Sequence, residues 1–138
     1  MITAHIQGDT ITSSSPDSFS LYEKSRFGEK KQKQIEYSVI EALFLMRERK
    51  MKLFSGKKEL TQDKLISKTK KHDKKILTKL PVFTDLRKKG YIVKAALKFG
   101  AEFRIYTKGV KPGQDHARWL LHTTKSHETI SWHDFTAK

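Results

Sequence analysis

Cysteine is absent from the 138 residues, and proline occurs only three times. With no thiol, a disulfide framework and thiolate metal sites are excluded, and a reducing, cytoplasmic setting fits. Apolar residues reach only 36%, so the cores are expected to be thin and completed by an oligomeric interface. No apolar run approaches the ~20 residues that a membrane span needs. The opening MITAHIQGDTI lacks the basic, apolar and cleavable regions of a signal peptide. The six histidines (His5, His72, His116, His122, His127 and His133) show no HExxH-type spacing, so neither a metal nor another cofactor is expected. Acidic residues are scarce too, 15 against 29 Lys+Arg, which leaves a net charge of +14. That excess favours a polyanionic partner, either nucleic acid or an anionic membrane surface. The bland alternative is a basic soluble protein without such a target.

Ile2, Ile6 and Ile11 are spaced for a hairpin turning at Gly8-Asp9. After the Ser-rich loop with Pro16, Asp17 or Ser18 is expected to cap a short helix carrying Phe19, Leu21 and Tyr22, which Gly28 ends. Residues 34–50 carry the clearest helical pattern, with Ile35, Val39, Ala42, Leu43 and Met46 on one face and a basic last turn. A strand is expected at 51–54, stopped by Ser55-Gly56, and a helix opens at Thr61 with Leu65 and Ile66 inward. The polar run KTKKHDKK, Lys68 to Lys75, separates two apolar groups and sets the expected boundary. It divides an N-terminal α+β domain, 1–71, from a second domain, 72–138. A solvated joint is the preferred reading of that run over a dedicated phosphate-binding patch. Beyond it Ile76, Leu80, Phe83 and Leu86 recur near the helical period, Pro81 predicts a kink or a new helix, and Gly90 a stop.

After Gly90 the period changes to two. Val93, Ala95, Leu97 and Phe99 alternate with Lys94, Ala96 and Lys98. In the next strand Phe103 and Ile105 point to the core, and Glu102, Arg104 and Tyr106 to the opposite face. Ala117, Trp119 and Leu121 mark a third strand, and residues 130–138 read as a helix start capped by Ser131, with Trp132 and Phe135 inward. A tyrosine closing one strand and His116 opening the next, in a basic frame, make an acid/base pair suited to cutting RNA without a metal. Taken alone, a strand tyrosine is usually a good strand former and a lone histidine a surface residue.

The run LRKKGYIVKAALKFGAEFRIY, ending at Tyr106, and HARWLLH from His116 resemble the catalytic domain of the archaeal tRNA-splicing endonucleases. Their usual form is close to GYxVKxGxKFGxxFRVY…HSxxLVH. The resemblance implies an α+β fold: a small N-terminal α+β domain, then a mixed α/β nuclease domain on a central sheet. It implies precursor tRNA as partner, recognised through a bulge-helix-bulge fold, and a homotetramer or a mixed tetramer of related subunits. Position by position, Tyr106 and His116 match two members of a three-residue catalytic site. The third is a lysine on the helix after the SW-containing loop, and here that helix is expected to have barely begun at Lys138. Lys125 is not nominated as its substitute. Ala96 and Ala117 replace a usual Gly and Ser, both mild changes. The family's substrate-clamping arginines, its acidic docking loop and its last tail strands are also expected beyond residue 138, so the chain reads as a fragment in preference to a short variant.

RNA carries its own nucleophile, the 2′-hydroxyl beside the scissile phosphate. A base must take its proton, an acid must protonate the departing 5′-oxygen, and a cation must meet the charge on the phosphorane. Tyr106 is the expected base, with Arg104, Lys108 and Lys111 supplying a field that favours phenolate. Histidine titrates near neutrality, so His116 suits the acid. The expected products are a 2′,3′-cyclic phosphate and a 5′-hydroxyl. The alternatives are a non-catalytic structural or RNA-binding subunit of the same assembly, and a basic structural protein with no RNA target.

Overall fold

The structure, a computed structural model, describes residues 1–95, 102–106, 119–123 and 130–134. In β1 (Ile2–Gln7) burial alternates strictly, with Ile2, Ala4 and Ile6 inward. β2 (Thr10–Ser13) returns antiparallel, pairing Ile11 with Ile6. This is the expected hairpin, turned by Gly8 at φ 59.

α1 (Pro16–Ser25) starts two to three residues earlier than expected. Its N-cap is Ser15, and Pro16 occupies the first turn, where a missing N–H costs nothing. The helix stops at Arg26, in the left-handed region at φ 52, rather than at Gly28. Gly28 serves a different purpose. Its φ is 84, and a Cβ there would stand 2.3 Å from the Ile35 side chain, so only glycine lets the chain pass this close.

The largest departure from expectation lies at 34–50. Residues 34–37 form a strand, and the helix α2 (Val39–Arg47) is correspondingly shorter. The charged stretch before it folds as a hairpin of β3 (Glu29–Lys31) and β4 (Gln34–Tyr37), turned at Gln32 with φ 55. Two signals compete in this segment. Ile35 fits the helical face of Val39 and Leu43, but Ile35 and Tyr37 also alternate with Glu36. Ser38 decides the outcome: its hydroxyl accepts from the Glu41 N–H while the Glu41 carboxylate accepts from the Ser38 N–H, a capping box that starts the helix at Val39.

β5 (Met51–Ser55) runs parallel to β1, and β6 (Lys58–Leu60), which the sequence pattern did not reveal, pairs with it around Gly56. The first sheet therefore has the order β3-β4-β2-β1-β5-β6. Every residue of α2 from Val39 to Met46 is buried, because β5, α3 and α4 all pack on it. α3 (Gln62–Lys70) opens as expected on Thr61, whose hydroxyl accepts from the Lys64 N–H at 3.3 Å. The basic run that follows is mostly exposed, and Asp73 ties it down by accepting from the Lys75 N–H and pairing with Lys79.

α4 (Ile76–Lys88) passes through Pro81 as one helix, without the new start that proline suggested. Pro81 and Leu77 lie on the exposed side, where water can take the carbonyl that proline leaves unpaired. Leu80 and Phe83 on the other side are fully buried and hold the helix together. Gly90, at φ 97, ends it as expected.

The second sheet contains β7 (Ile92–Lys94), β8 (Glu102–Tyr106), β9 (Trp119–Thr123) and β10 (Ile130–Asp134). Its order is β10-β9-β8-β7, with antiparallel neighbours throughout. The helix expected after Ser131 is instead strand β10, whose backbone groups bond to β9. The period-two sequence Ile130-Ser131-Trp132-His133 already favours a strand. The expectations for Leu97, Phe99, Ala117 and Phe135 fall outside the described residues.

One apolar core joins the two sheets. Phe27 stacks on Phe44 at 5.5 Å, Phe44 meets Phe83 edge-on at 5.7 Å, and Phe83 meets Phe103 at 5.8 Å. The chain is thus α+β. Among the described residues no helix is long and apolar enough to cross a membrane.

Candidate active site

Tyr106 is the last residue of β8. Phe103 and Ile105 point into the core, at 2% and 1% exposure, while Arg104 is exposed and Tyr106 half-buried on the other side. This is the facing that the alternation predicted. Directly opposite, in register, Ile92 pairs with Tyr106 and Lys94 with Arg104. On its other edge β8 pairs with β9, Ile105 lying opposite Trp119. The end of β8 and the beginning of β9 therefore meet at the same end of the sheet. His116 lies outside the described residues.

The electrostatics around Tyr106 run partly against expectation. Partial burial raises its phenol above the ordinary value, Arg104 pulls it down, and Glu29 pushes it up. Arg104 acts in the expected sense, but burial and Glu29 outweigh it. Glu29 belongs to β3 of the first sheet, so this face of β8 looks onto the N-terminal half of the chain.

Lys94 explains how the two halves meet. The alternating pattern put it on a polar face, yet it is only 7% exposed. Its ammonium donates to the Gly28 carbonyl and Glu41 Oε2, each at 2.8 Å, and to the Arg26 carbonyl at 3.0 Å, with Glu29 at 3.5 Å. Glu41, 1% exposed, is saturated in turn. Its Oε2 accepts from the Gly28 N–H at 2.7 Å, and its Oε1 from the Ser38 N–H and hydroxyl at 3.0 and 2.9 Å. Arg87 completes the cluster from α4, donating to the carbonyls of Ser25, Arg26 and Val93 while its guanidinium lies 3.8 Å over the Phe27 ring. The buried pairing of Glu41 with Lys94 was not foreseen from the sequence. The spacing Ser38-x-x-Glu41 was a readable sign of the cap, but nothing local announces a lysine that finds its partner 53 residues away.

Burial alone would raise the Glu41 carboxyl; Lys94, the Gly28 N–H and Arg87 together hold it below its ordinary value. A carboxyl depressed on folding stabilises the fold above its unfolded pKa, about 4.3, and that contribution is lost as pH falls through the lower folded value. Urea midpoints measured from about pH 6 down to pH 3 are expected to fall steeply. The variant Glu41→Gln should be less stable at neutral pH and show a flatter acid limb.

Comparison with known proteins agrees with this architecture on both halves. Residues 76–138 match the family described as tRNA intron endonuclease, catalytic C-terminal domain, and residues 2–66 the tRNA intron endonuclease, N-terminal domain. A tRNA-splicing endonuclease of Thermococcus gammatolerans is 32% identical over 139 aligned positions, covering all of this chain and 81% of that protein. One from Pyrococcus furiosus is 34% identical, covering all of this chain and 79% of its own length. One from Thermococcus onnurineus is 39% identical over 118 positions, 86% of this chain and 67% of the relative. With both parts of the family matched in order and relatives aligned along the whole chain, the protein belongs to the tRNA intron endonuclease family.

Proposed function

We propose that the chain is a catalytic subunit of a tRNA-splicing endonuclease, acting in the cytoplasm. It cuts precursor tRNA at bulge-helix-bulge sites by metal-independent transesterification. The observation that carries this reading is Tyr106, which ends β8 beside the start of β9 on the same face as Arg104. His116 precedes Trp119, the first residue of β9, by three positions in the sequence. Residues 72–138 form the catalytic-type unit in this reading, and residues 1–71 the N-terminal unit.

Tyr106 removes the 2′-hydroxyl proton, the 2′-oxygen attacks the phosphorus, and His116 protonates the departing 5′-oxygen. A half-buried phenol with Glu29 nearby is a weak base until cations gather around it. A cation must also meet the charge that builds on the phosphorane, and the assembly is a tetramer of this chain or of related subunits. The alternative, a non-catalytic structural or RNA-binding subunit of the same assembly, predicts RNA binding without cleavage.

The charge of +14 gives the substrate side of the proposal its test. Affinity for a folded bulge-helix-bulge RNA is expected to fall steeply between low and moderate salt, as phosphate contacts release counterions. Fluorescence anisotropy across a salt series checks this. A flat response would contradict an RNA substrate.

A further inference from the structure

Removing one partner of a buried ion pair leaves the other charge buried and uncompensated, so such a pair holds together the elements that carry it. The Lys94 cluster lies between the two family-matched halves: Arg26, Gly28, Glu29 and Glu41 on one side, Arg87 and Lys94 on the other. Lys94 also shares the face of the β7–β8 ladder that carries Arg104 and Tyr106. An ammonium with four oxygen partners cannot shift without breaking several bonds at once, so β7 is held in place against the 26–29 segment. β8 is registered on β7, and Tyr106 is registered opposite Ile92.

We infer that Lys94 is a positioning residue for Tyr106: locked by Glu41 and the carbonyls of Arg26 and Gly28, it sets where the phenol stands relative to the N-terminal half. Glu29 is the counterpart on β3. It reaches toward Lys94 at 3.5 Å and is 46% exposed, so it can adjust the charge beside Tyr106 without being part of the core. The N-terminal half is therefore a structural arm of the site rather than an independent appendage. The inference rests on the reading of Tyr106 as the base for its consequence in catalysis, but not for its structural content.

The test uses the protein labelled with 13Cζ-tyrosine, so that the Tyr106 phenol is followed directly by NMR as pH is raised. Tyr106→Phe assigns the signal. Lys94→Met leaves Glu41 buried without its partner, so the double variant Glu41→Gln/Lys94→Met, which removes both charges, provides the folded comparison. In the double variant the Tyr106 resonance is expected to move and its titration to change. Single-turnover cleavage should slow about 10-fold or more at unchanged RNA affinity, as for a misplaced reacting group. Glu29→Gln, at a half-exposed site, is expected to move the Tyr106 titration to lower pH with the fold intact. A folded double variant with the wild-type Tyr106 resonance and titration would overturn the inference. If the resonance moves but Tyr106→Phe cleaves at the wild-type rate, the positioning holds and the catalytic reading of Tyr106 fails.

Discussion

Replacing Tyr106 by phenylalanine is expected to slow cleavage of a bulge-helix-bulge RNA by ~100-fold or more, the usual loss for one positioned acid or base group. The change removes one oxygen from a half-buried ring that points away from Phe103 and Ile105. The core and the β7–β8 register should be untouched, and RNA affinity with them. His116→Ala is expected to produce a loss of the same order by removing the acid. The phenol is raised above its ordinary value, so the wild-type rate should climb with pH while Tyr106 is the limiting base, and Tyr106→Phe should abolish that dependence. Single-turnover rates and binding isotherms, measured on the same preparations, separate the two effects. Unchanged rates in both variants would remove the mechanism.

Phe83→Ala is expected to be the most damaging single change to the fold, at about 3–5 kcal/mol. The ring is fully buried in α4, edge-on to Phe44 of α2 and against Phe103 of β8. Its removal opens a cavity where three elements meet, and deletes the link between the aromatic residues of the two halves. Because the core is shared, urea unfolding should remain a single transition that moves to lower denaturant. Loss of the second sheet alone, with the first intact, would show that the halves are energetically separate.

Much of the architecture was legible from periodicity. The β1–β2 hairpin, the Thr61 cap, the Gly90 stop and the inward facing of Phe103 and Ile105 each followed from a local rule that the tertiary structure did not override. The failures share a cause. At 34–37 the same apolar residues satisfied a helical and an alternating pattern, and the capping box of Ser38 and Glu41 settled the matter. At 130–134 an N-cap-like serine sat in a segment whose backbone found its partners in β9. Pro81 survives inside α4 because its exposed side lets water replace the missing bond.

Around the candidate site only part was legible. The placement of Arg104 and Tyr106 on one face of β8, opposite Phe103 and Ile105, followed from alternation. The placements of Glu29, Glu41 and Lys94 did not, because burial of a charged side chain depends on partners far along the chain. The spacing that places Lys94 between Val93 and Ala95 says nothing of the carbonyls of Arg26 and Gly28 waiting for it.

The central claim is that this fold cuts RNA through side chains and the substrate's own 2′-hydroxyl. End analysis of the cleavage products in the presence of excess EDTA tests it most directly. The predicted result is cleavage undiminished by the chelator, leaving a 2′,3′-cyclic phosphate on one fragment and a 5′-hydroxyl on the other. Products with a 3′-hydroxyl and a 5′-phosphate, or cleavage abolished by EDTA and restored by a divalent cation, would contradict the account.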